Sequence, residues 1–72
     1  MTFKGIIIWS RSMTYGEIAS RYSECVKTDN YKTAHCLCSA WWLKHFNDAQ
    51  GSHKIWCWKV AIKAYNDHKP YK

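Results

Sequence analysis

The sequence has few of the residues on which most enzymes and membrane proteins depend. Its three glycines are scattered among 72 residues, so the chain has no glycine-rich loop of the kind that cradles phosphate groups. Its five carboxylates show no spacing typical of a paired general acid and base. No apolar run approaches the roughly eighteen residues of a membrane span. We therefore expect a protein that is not an enzyme and has no membrane partner.

What the sequence has in abundance is aromatic side chains and positive charge. Five Trp, five Tyr and two Phe make up 17% of the chain, and the net charge is +6. We expect a single small domain that covers 1–72, with a polar tail at 66–72, and a domain of this size is expected to leave part of the aromatic area exposed. The alternative is that the tryptophans fill the core, as they do in other small proteins. Exposed aromatic area marks contact surfaces, and a basic balance favours nucleic acid before anionic membranes.

Four cysteines would permit two disulfides, but the N-terminal residues argue against secretion. Residues 1–11 hold only a five-residue apolar run with no cleavage-like segment behind it. This favours a cytoplasmic protein with free thiols.

Zinc is an alternative use of the cysteines. The candidate ligands are Cys25, His35, Cys36, Cys38 and Cys57. Zinc sites favour Cys-x2-4-Cys pairs, whereas the thiols of Cys36 and Cys38 would point to nearly opposite sides of a helix. We therefore expect no metal or cofactor and thiols that act as small apolar groups, with a structural-zinc module as the third alternative.

The first half of the chain predicts a strand followed by a helix. Residues 3–9 are β-branched and aromatic, which is typical of a strand. Residues 14–17 fit a capping box, in which Thr14 is the N-cap and Glu17 reaches back to its amide. A helix is expected to begin there.

A second helix is predicted over 31–49, with Asp29 or Asn30 as its N-cap and Gly51 as its C-cap. Its middle, residues 36–46, is apolar nearly all round. Such a helix is either buried on several sides or offers a second face to a partner.

The last element, residues 55–65, is predicted as a strand because every second residue from 56 to 64 is apolar. A helix is the alternative, because Ser52 could cap it and three residues fall on one helical stripe: Lys59, Lys63 and Asp67. The expected fold is α+β in the order β-α-α-β, with two helices on a minimal antiparallel sheet. A two-stranded sheet is marginal alone, so a homodimer that completes it is also expected.

One segment resembles a known family. Residues 14–19, Thr-Tyr-Gly-Glu-Ile-Ala, resemble the opening of helix-turn-helix DNA-binding proteins, and residues 14–46 follow that pattern loosely. The gap between Ala19 and the next apolar residues at helical spacing is too long for the tight turn of that motif. The resemblance implies that the second helix enters the major groove, with Lys32, Thr33 and His35 facing DNA. The same run is similar to alkylguanine-DNA alkyltransferases, but their Pro-Cys-His-Arg reactive motif is absent, so that activity is not expected.

The last third of the chain combines lysines with aromatic residues, a pattern typical of nucleic-acid binding. We expect a small basic binding protein that acts on nucleic acid or on a nucleoprotein complex. The phosphate contacts are assigned to Lys32, Lys54, Lys59 and Lys63, and the stacking surface to Tyr65. An ordinary strand with outward lysines and buried tryptophans explains the same alternation.

The alternative function is a protein-binding inhibitor or adaptor. Interface hot spots are enriched in aromatic residues, and the candidates here are Trp41, Trp42 and Phe46. A compact basic chain of this size is also what a virus- or plasmid-encoded inhibitor of a host enzyme would look like, by analogy.

Overall fold

The structure, a computed structural model, describes residues 2–67, and all of the regular secondary structure in that range is helical. The four helices are α1 (Phe3–Ser12), α2 (Tyr15–Lys27), α3 (Tyr31–Asp48) and α4 (Gly51–Asp67). The predicted α+β fold with an antiparallel sheet is therefore wrong. The expected reason for a homodimer also disappears, because the described residues contain no sheet for a second copy to complete.

Residues 3–9, predicted as a strand, form most of α1. Three consecutive isoleucines favour a strand locally, but only one side of this segment meets the core. Ile6 is fully buried, Ile7 is half-buried and Ile8 is 58% exposed. Thr2 caps the helix by accepting a hydrogen bond from the amide of Gly5 at 3.2 Å. Packing of the Ile6 side on the rest of the protein overrides the β propensity of the run.

Residues 55–65, also predicted as a strand, lie inside α4. The residues that α4 buries recur at helical spacing: Cys57, Ala61 and Ala64. Trp56 and Trp58, which share a face in a strand, lie on either side of Cys57 on a helix and remain 51% and 39% exposed. The helical alternative is therefore correct, and the apolar alternation was misleading.

The helices predicted from capping signals are confirmed. Thr14 Oγ1 accepts from the Glu17 amide at 3.2 Å, and Glu17 Oε1 accepts from the Thr14 amide at 3.0 Å. The hydrogen bond from the Thr14 amide holds the pKa of the Glu17 carboxyl below its ordinary value. Asn30 caps α3 by accepting from the Thr33 amide at 3.4 Å. The turn between α2 and α3 is only three residues long, because α2 continues to Lys27.

Gly51 begins α4 and is not the C-cap of α3 as predicted. Ala49 closes α3 by donating its amide to the Phe46 carbonyl at 3.3 Å. Gly51 has φ of +64°, a left-handed conformation that costs glycine little. The link between α3 and α4 is therefore short, and it reverses the direction of the chain.

α3 is the central helix and packs against each of the other three. Its buried residues surround the helix axis: Ala34, Cys36, Leu37, Ser39, Ala40 and Leu43. Most of them are small, which lets the neighbouring helices approach closely. The fully buried Ser39 hydroxyl donates to the Ala61 carbonyl of α4 at 2.8 Å. The apolar middle of the predicted second helix is therefore buried on several sides.

The predicted polar tail falls only partly within the described residues. Asn66 and Asp67 are the last two residues of α4, and residues 68–72 lie outside the described range. Among the helices of residues 2–67, none combines the length and the apolar character needed to cross a bilayer.

The buried Ser39 contact gives a stability prediction. Ser39→Ala removes the hydrogen bond to α4 and should lower the free energy of unfolding by about 1 kcal/mol. Ser39→Val adds carbon where α3 and α4 touch, so a further loss of about 1–3 kcal/mol is expected. Urea denaturation followed by circular dichroism measures both. Ser20→Ala, on the exposed side of α2, is the control and should change stability by no more than about 0.5 kcal/mol. A Val variant as stable as the wild type would contradict the close α3–α4 packing.

Candidate functional site

The outer side of α4 carries exposed apolar and basic side chains together. Ile55 is 59% exposed, and the two tryptophans that follow, Trp56 and Trp58, are partly exposed. Lys59 and Lys63 are exposed one helical turn apart. No Asp or Glu occurs between residues 51 and 66, so this side of the helix is both apolar and positively charged.

A shallow depression of about 350 Å³ lies on this side of α4, and we call it the α4 hollow. Its lining residues are Trp58, Lys59, Ile62, Lys63, Asn66 and Asp67. The hollow is open to solvent. It offers an aromatic ring, two ammonium groups and an amide to one ligand, with a single carboxylate at the C-terminal end of the helix.

Trp58 is positioned in the hollow by rings from two other helices. Its ring centroid lies 5.6 Å from that of Phe3 of α1, with the rings at 87°. Phe46 of α3 lies 5.2 Å away at 50°. The edge-to-face contact with Phe3 and the tilted contact with Phe46 together fix the orientation of the ring. A ligand that packs on the exposed part of Trp58 would therefore lose little affinity to ordering of the side chain.

The charges of the hollow are only weakly neutralised within the protein. Lys63 Nζ lies 3.9 Å from Asp67 Oδ2, and the two side chains are 80% and 40% exposed, so solvent screens the pair strongly. Within residues 2–67, Lys59 makes no ion pair. Both ammonium groups are therefore available to an anionic ligand, although Asp67 opposes one at its own end.

Lys32 lies at the same end of the molecule as the C-terminus of α4. The two helices run antiparallel, because Ser39 bonds to Ala61 while Phe46, further along α3, contacts Trp58, which lies earlier in α4. Lys32 is exposed in the first turn of α3, opposite the last turn of α4. Of the residues predicted to bind nucleic acid, Lys59 and Lys63 lie together, and Lys32 lies near the same end.

Two other predicted residues are occupied by contacts within the protein. Lys54 Nζ donates to the Phe46 carbonyl at 3.2 Å and lies 4.3 Å from the centroid of the Phe46 ring. Its ammonium group therefore satisfies the C-terminal end of α3. Tyr65, predicted as a stacking surface, is half-buried with its ring centroid 5.2 Å from that of Phe3. Neither side chain is presented as freely as the residues of the α4 hollow.

The residues that the helix-turn-helix resemblance assigns to DNA are not presented together either. Thr33 is half-buried and lines a different depression, with Trp9 and Leu37. His35 is half-buried on α3. A recognition helix needs an exposed side to enter the major groove. Because α3 packs against the other three helices, it has little free surface for that role.

A second surface is an apolar groove between α2 and α3, with a volume of about 310 Å³. We call it the α2–α3 groove, and its lining residues are Ile18, Ala19, Tyr22, Cys38, Trp41 and Trp42. None of these six residues is charged. Tyr22 is 43% exposed, so one wall of the groove is open to solvent.

The predicted protein-docking residues divide between the two surfaces. Trp41 and Trp42 line the α2–α3 groove, whereas Phe46 packs against Trp58, which lines the α4 hollow. Trp42 also meets Trp56 of α4 edge-on, with ring centroids 5.1 Å apart. Aromatic side chains therefore extend from the groove to the outer side of α4.

All four cysteines are free thiols. Cys36 and Cys57 are buried, and the Cys57 sulfur lies 3.7 Å from Nε2 of His53. Burial and the nearby Asp67 carboxylate raise the pKa of Cys38. Among residues 2–67, no three His, Cys, Asp or Glu side chains come close enough to hold a metal ion. The five candidate zinc ligands of the sequence are thus not brought together as a site.

The sequence predicts that some tryptophans are exposed, but it did not identify the two of α4 as site residues. A strand would have turned both Trp56 and Trp58 toward the core. On a helix, each is rotated by about 100° from the buried Cys57, which leaves both partly exposed. The spacing of Lys59, Lys63 and Asp67 was the available signal for a helix here.

Comparison with known proteins gives no relative from which a function can be inferred. No protein-family model, no curated protein and no solved structure matches the chain. Any proposal for its function must therefore come from the two surfaces.

The raised pKa of Cys38 gives a test of its place in the groove. The thiolate is the reactive form, so a raised pKa means that less of Cys38 is thiolate at neutral pH. Its labelling rate should therefore continue to increase as the pH is raised beyond about 8.5, the ordinary pKa of a thiol. Maleimide labelling across pH, read by mass spectrometry of peptides, should show this in the folded protein. In urea the profile should return to the ordinary range. Identical profiles in the two states would contradict the burial of Cys38.

Proposed function

We propose that this chain is a non-catalytic binding protein for nucleic acid, free or within a nucleoprotein complex, and that the α4 hollow is its contact surface. One observation carries the proposal: Trp58, Lys59 and Lys63 line the same hollow. Aromatic rings stack on bases, and ammonium groups neutralise the phosphates that join them. A nucleic acid offers both groups in one ligand.

The distribution of charge supports this proposal. The chain carries a net charge of +6, and the outer side of α4 has no carboxylate before Asp67. A net positive field increases the rate at which polyanions arrive at such a surface. Lys32, exposed at the end of the molecule where α4 finishes, extends the positive surface beyond the hollow.

The first test removes the two lysines of the hollow. Lys59→Gln/Lys63→Gln should weaken oligonucleotide binding. Because two phosphate contacts are lost, the negative slope of log K against log salt should become shallower, by about 1.4 for a single strand or about 1.8 for a duplex. Fluorescence anisotropy of a labelled oligonucleotide between about 50 and 200 mM salt measures both effects.

The matched control carries the same loss of charge elsewhere. Lys4 and Lys27 are exposed on α1 and α2 and do not line the hollow. Lys4→Gln/Lys27→Gln should leave affinity and salt slope closer to those of the wild type. Equal effects of the two double variants would mean that only net charge matters, and the hollow would lose its assigned role.

A second candidate function is docking of a protein through the α2–α3 groove, as expected of an inhibitor or adaptor. The observation that favours it is the chemistry of the lining, in which no residue is charged and the only polar groups are a phenol, a thiol and two indole N–H groups. Such a groove suits apolar side chains of a protein segment and does not suit phosphate.

Ala19→Glu tests the groove. Ala19 is exposed on α2, so the variant should fold, but its carboxylate would stand in the apolar groove and remove binding of an apolar segment. Ser20→Glu is the control, because Ser20 is the exposed neighbour that does not line the groove. A partner captured from cell extract should be lost from the first variant and kept by the second, with little dependence on salt. Retention by Ala19→Glu would exclude the groove as the docking site.

A further inference from the structure

The outer side of α4 has lysines in the middle and apolar side chains on both flanks. At 100° per residue, Trp58 and Ile62 fall on one flank of the Lys59–Lys63 row, and Trp56 falls on the other. The two tryptophans are 39% and 51% exposed, and Ile62 lines the hollow. A row of lysines of this kind can bind the phosphates of an extended polyanion. The apolar side chains beside the row can contact flat groups attached to that polyanion.

A duplex and a single strand present different groups to such a surface. In a duplex the bases are stacked on each other, so a protein meets their edges in the grooves and the phosphates outside. An unpaired base exposes its flat face, which packs on an aromatic side chain whatever the base is. Trp56, Trp58 and Ile62 have no hydrogen-bonding pattern for base edges beyond the single indole N–H of each tryptophan. These three side chains are therefore better suited to the flat faces of bases than to their edges.

Neither α3 nor α4 is well suited to reading a duplex. The helix that the sequence resemblance assigns to the major groove is α3, which packs against three neighbours and has little free surface. α4 has a free outer side, but apolar residues occupy much of it, including Ile55 at 59% exposure. Placed against a duplex, these side chains would face phosphates and water. Placed against an unpaired strand, they would be covered by bases.

We infer that the α4 hollow binds an unpaired, single-stranded nucleic acid, with phosphates on Lys59 and Lys63 and a base packed on Trp58. This inference rests on the nucleic-acid-binding function proposed above and specifies its ligand. The ring of Trp58 is already held by Phe3 and Phe46, so the base meets an oriented surface. Asp67 repels phosphate at the end of the helix and limits the phosphate contacts there.

The test compares ligands of equal charge. The probes are an oligothymidine of roughly a dozen nucleotides, within the usual range of single-strand sites, the corresponding oligouridine, and a hairpin duplex with the same number of phosphates. Anisotropy at one salt concentration should show binding to at least one of the single strands about tenfold tighter than to the hairpin, the value of one stacked base. The thymidine and uridine arms distinguish DNA from RNA.

A conservative variant assigns the preference to the hollow. Trp58→Phe keeps an aromatic ring between Phe3 and Phe46 but reduces the area that a base can cover. It should weaken single-strand binding several-fold and leave hairpin binding unchanged. Trp9→Phe is the matched control, because Trp9 is a half-buried tryptophan of α1 that lines a different depression. Thermal melting by circular dichroism verifies that both variants fold.

The outcomes separate the two proposals. No binding to any probe at low salt would overturn the nucleic-acid function and this inference with it. Binding to the hairpin that equals or exceeds binding to the single strands would overturn the single-strand inference and leave the broader function standing. A single-strand preference that survives Trp58→Phe as well as it survives Trp9→Phe would remove the hollow as the site. A preference lost only in Trp58→Phe supports the inference.

Discussion

The close approach of α3 and α4 is the constraint on which the rest of the structure depends. The two helices meet through small residues, and the buried hydroxyl of Ser39 bonds to the Ala61 carbonyl across the contact. A backbone carbonyl can be reached in this way only where no large side chain separates the helices. Because α3 also packs on α1 and α2, its position relative to α4 fixes the framework for the whole molecule.

The same constraint explains why so small a protein exposes such large side chains. α4 turns its small residues toward α3, so the tryptophans on either side of Cys57 have no room in the core. Trp58 instead fills the gap between Phe3 and Phe46, and Trp56 packs on Trp42. The apolar and basic surface of α4 is therefore a direct result of how its buried side is built.

Local signals and tertiary contacts account for what the sequence could and could not predict. The capping box at Thr14 and the cap at Asn30 act within three residues, so α2 and α3 could be read from the sequence. The isoleucine run of α1 and the alternation in α4 favour strands locally, and packing on α3 decides against them. Lys59 and Lys63 could be recognised as exposed, whereas the contact of Lys54 with Phe46 depends on how α4 folds back along α3.

The central place of α3 also has a consequence for the order in which the chain assembles. α2 and α4 each adjoin α3 in sequence, so either helical hairpin closes a short loop. α1 adjoins α2 in sequence but packs mainly on α3, and its Phe3 also contacts Trp58 and Tyr65, near the other end of the described chain. On the ribosome, α1 is made before the other three described helices and must therefore wait the longest for its partners. Until α4 has emerged, the apolar side of α1 has only part of its final binding surface.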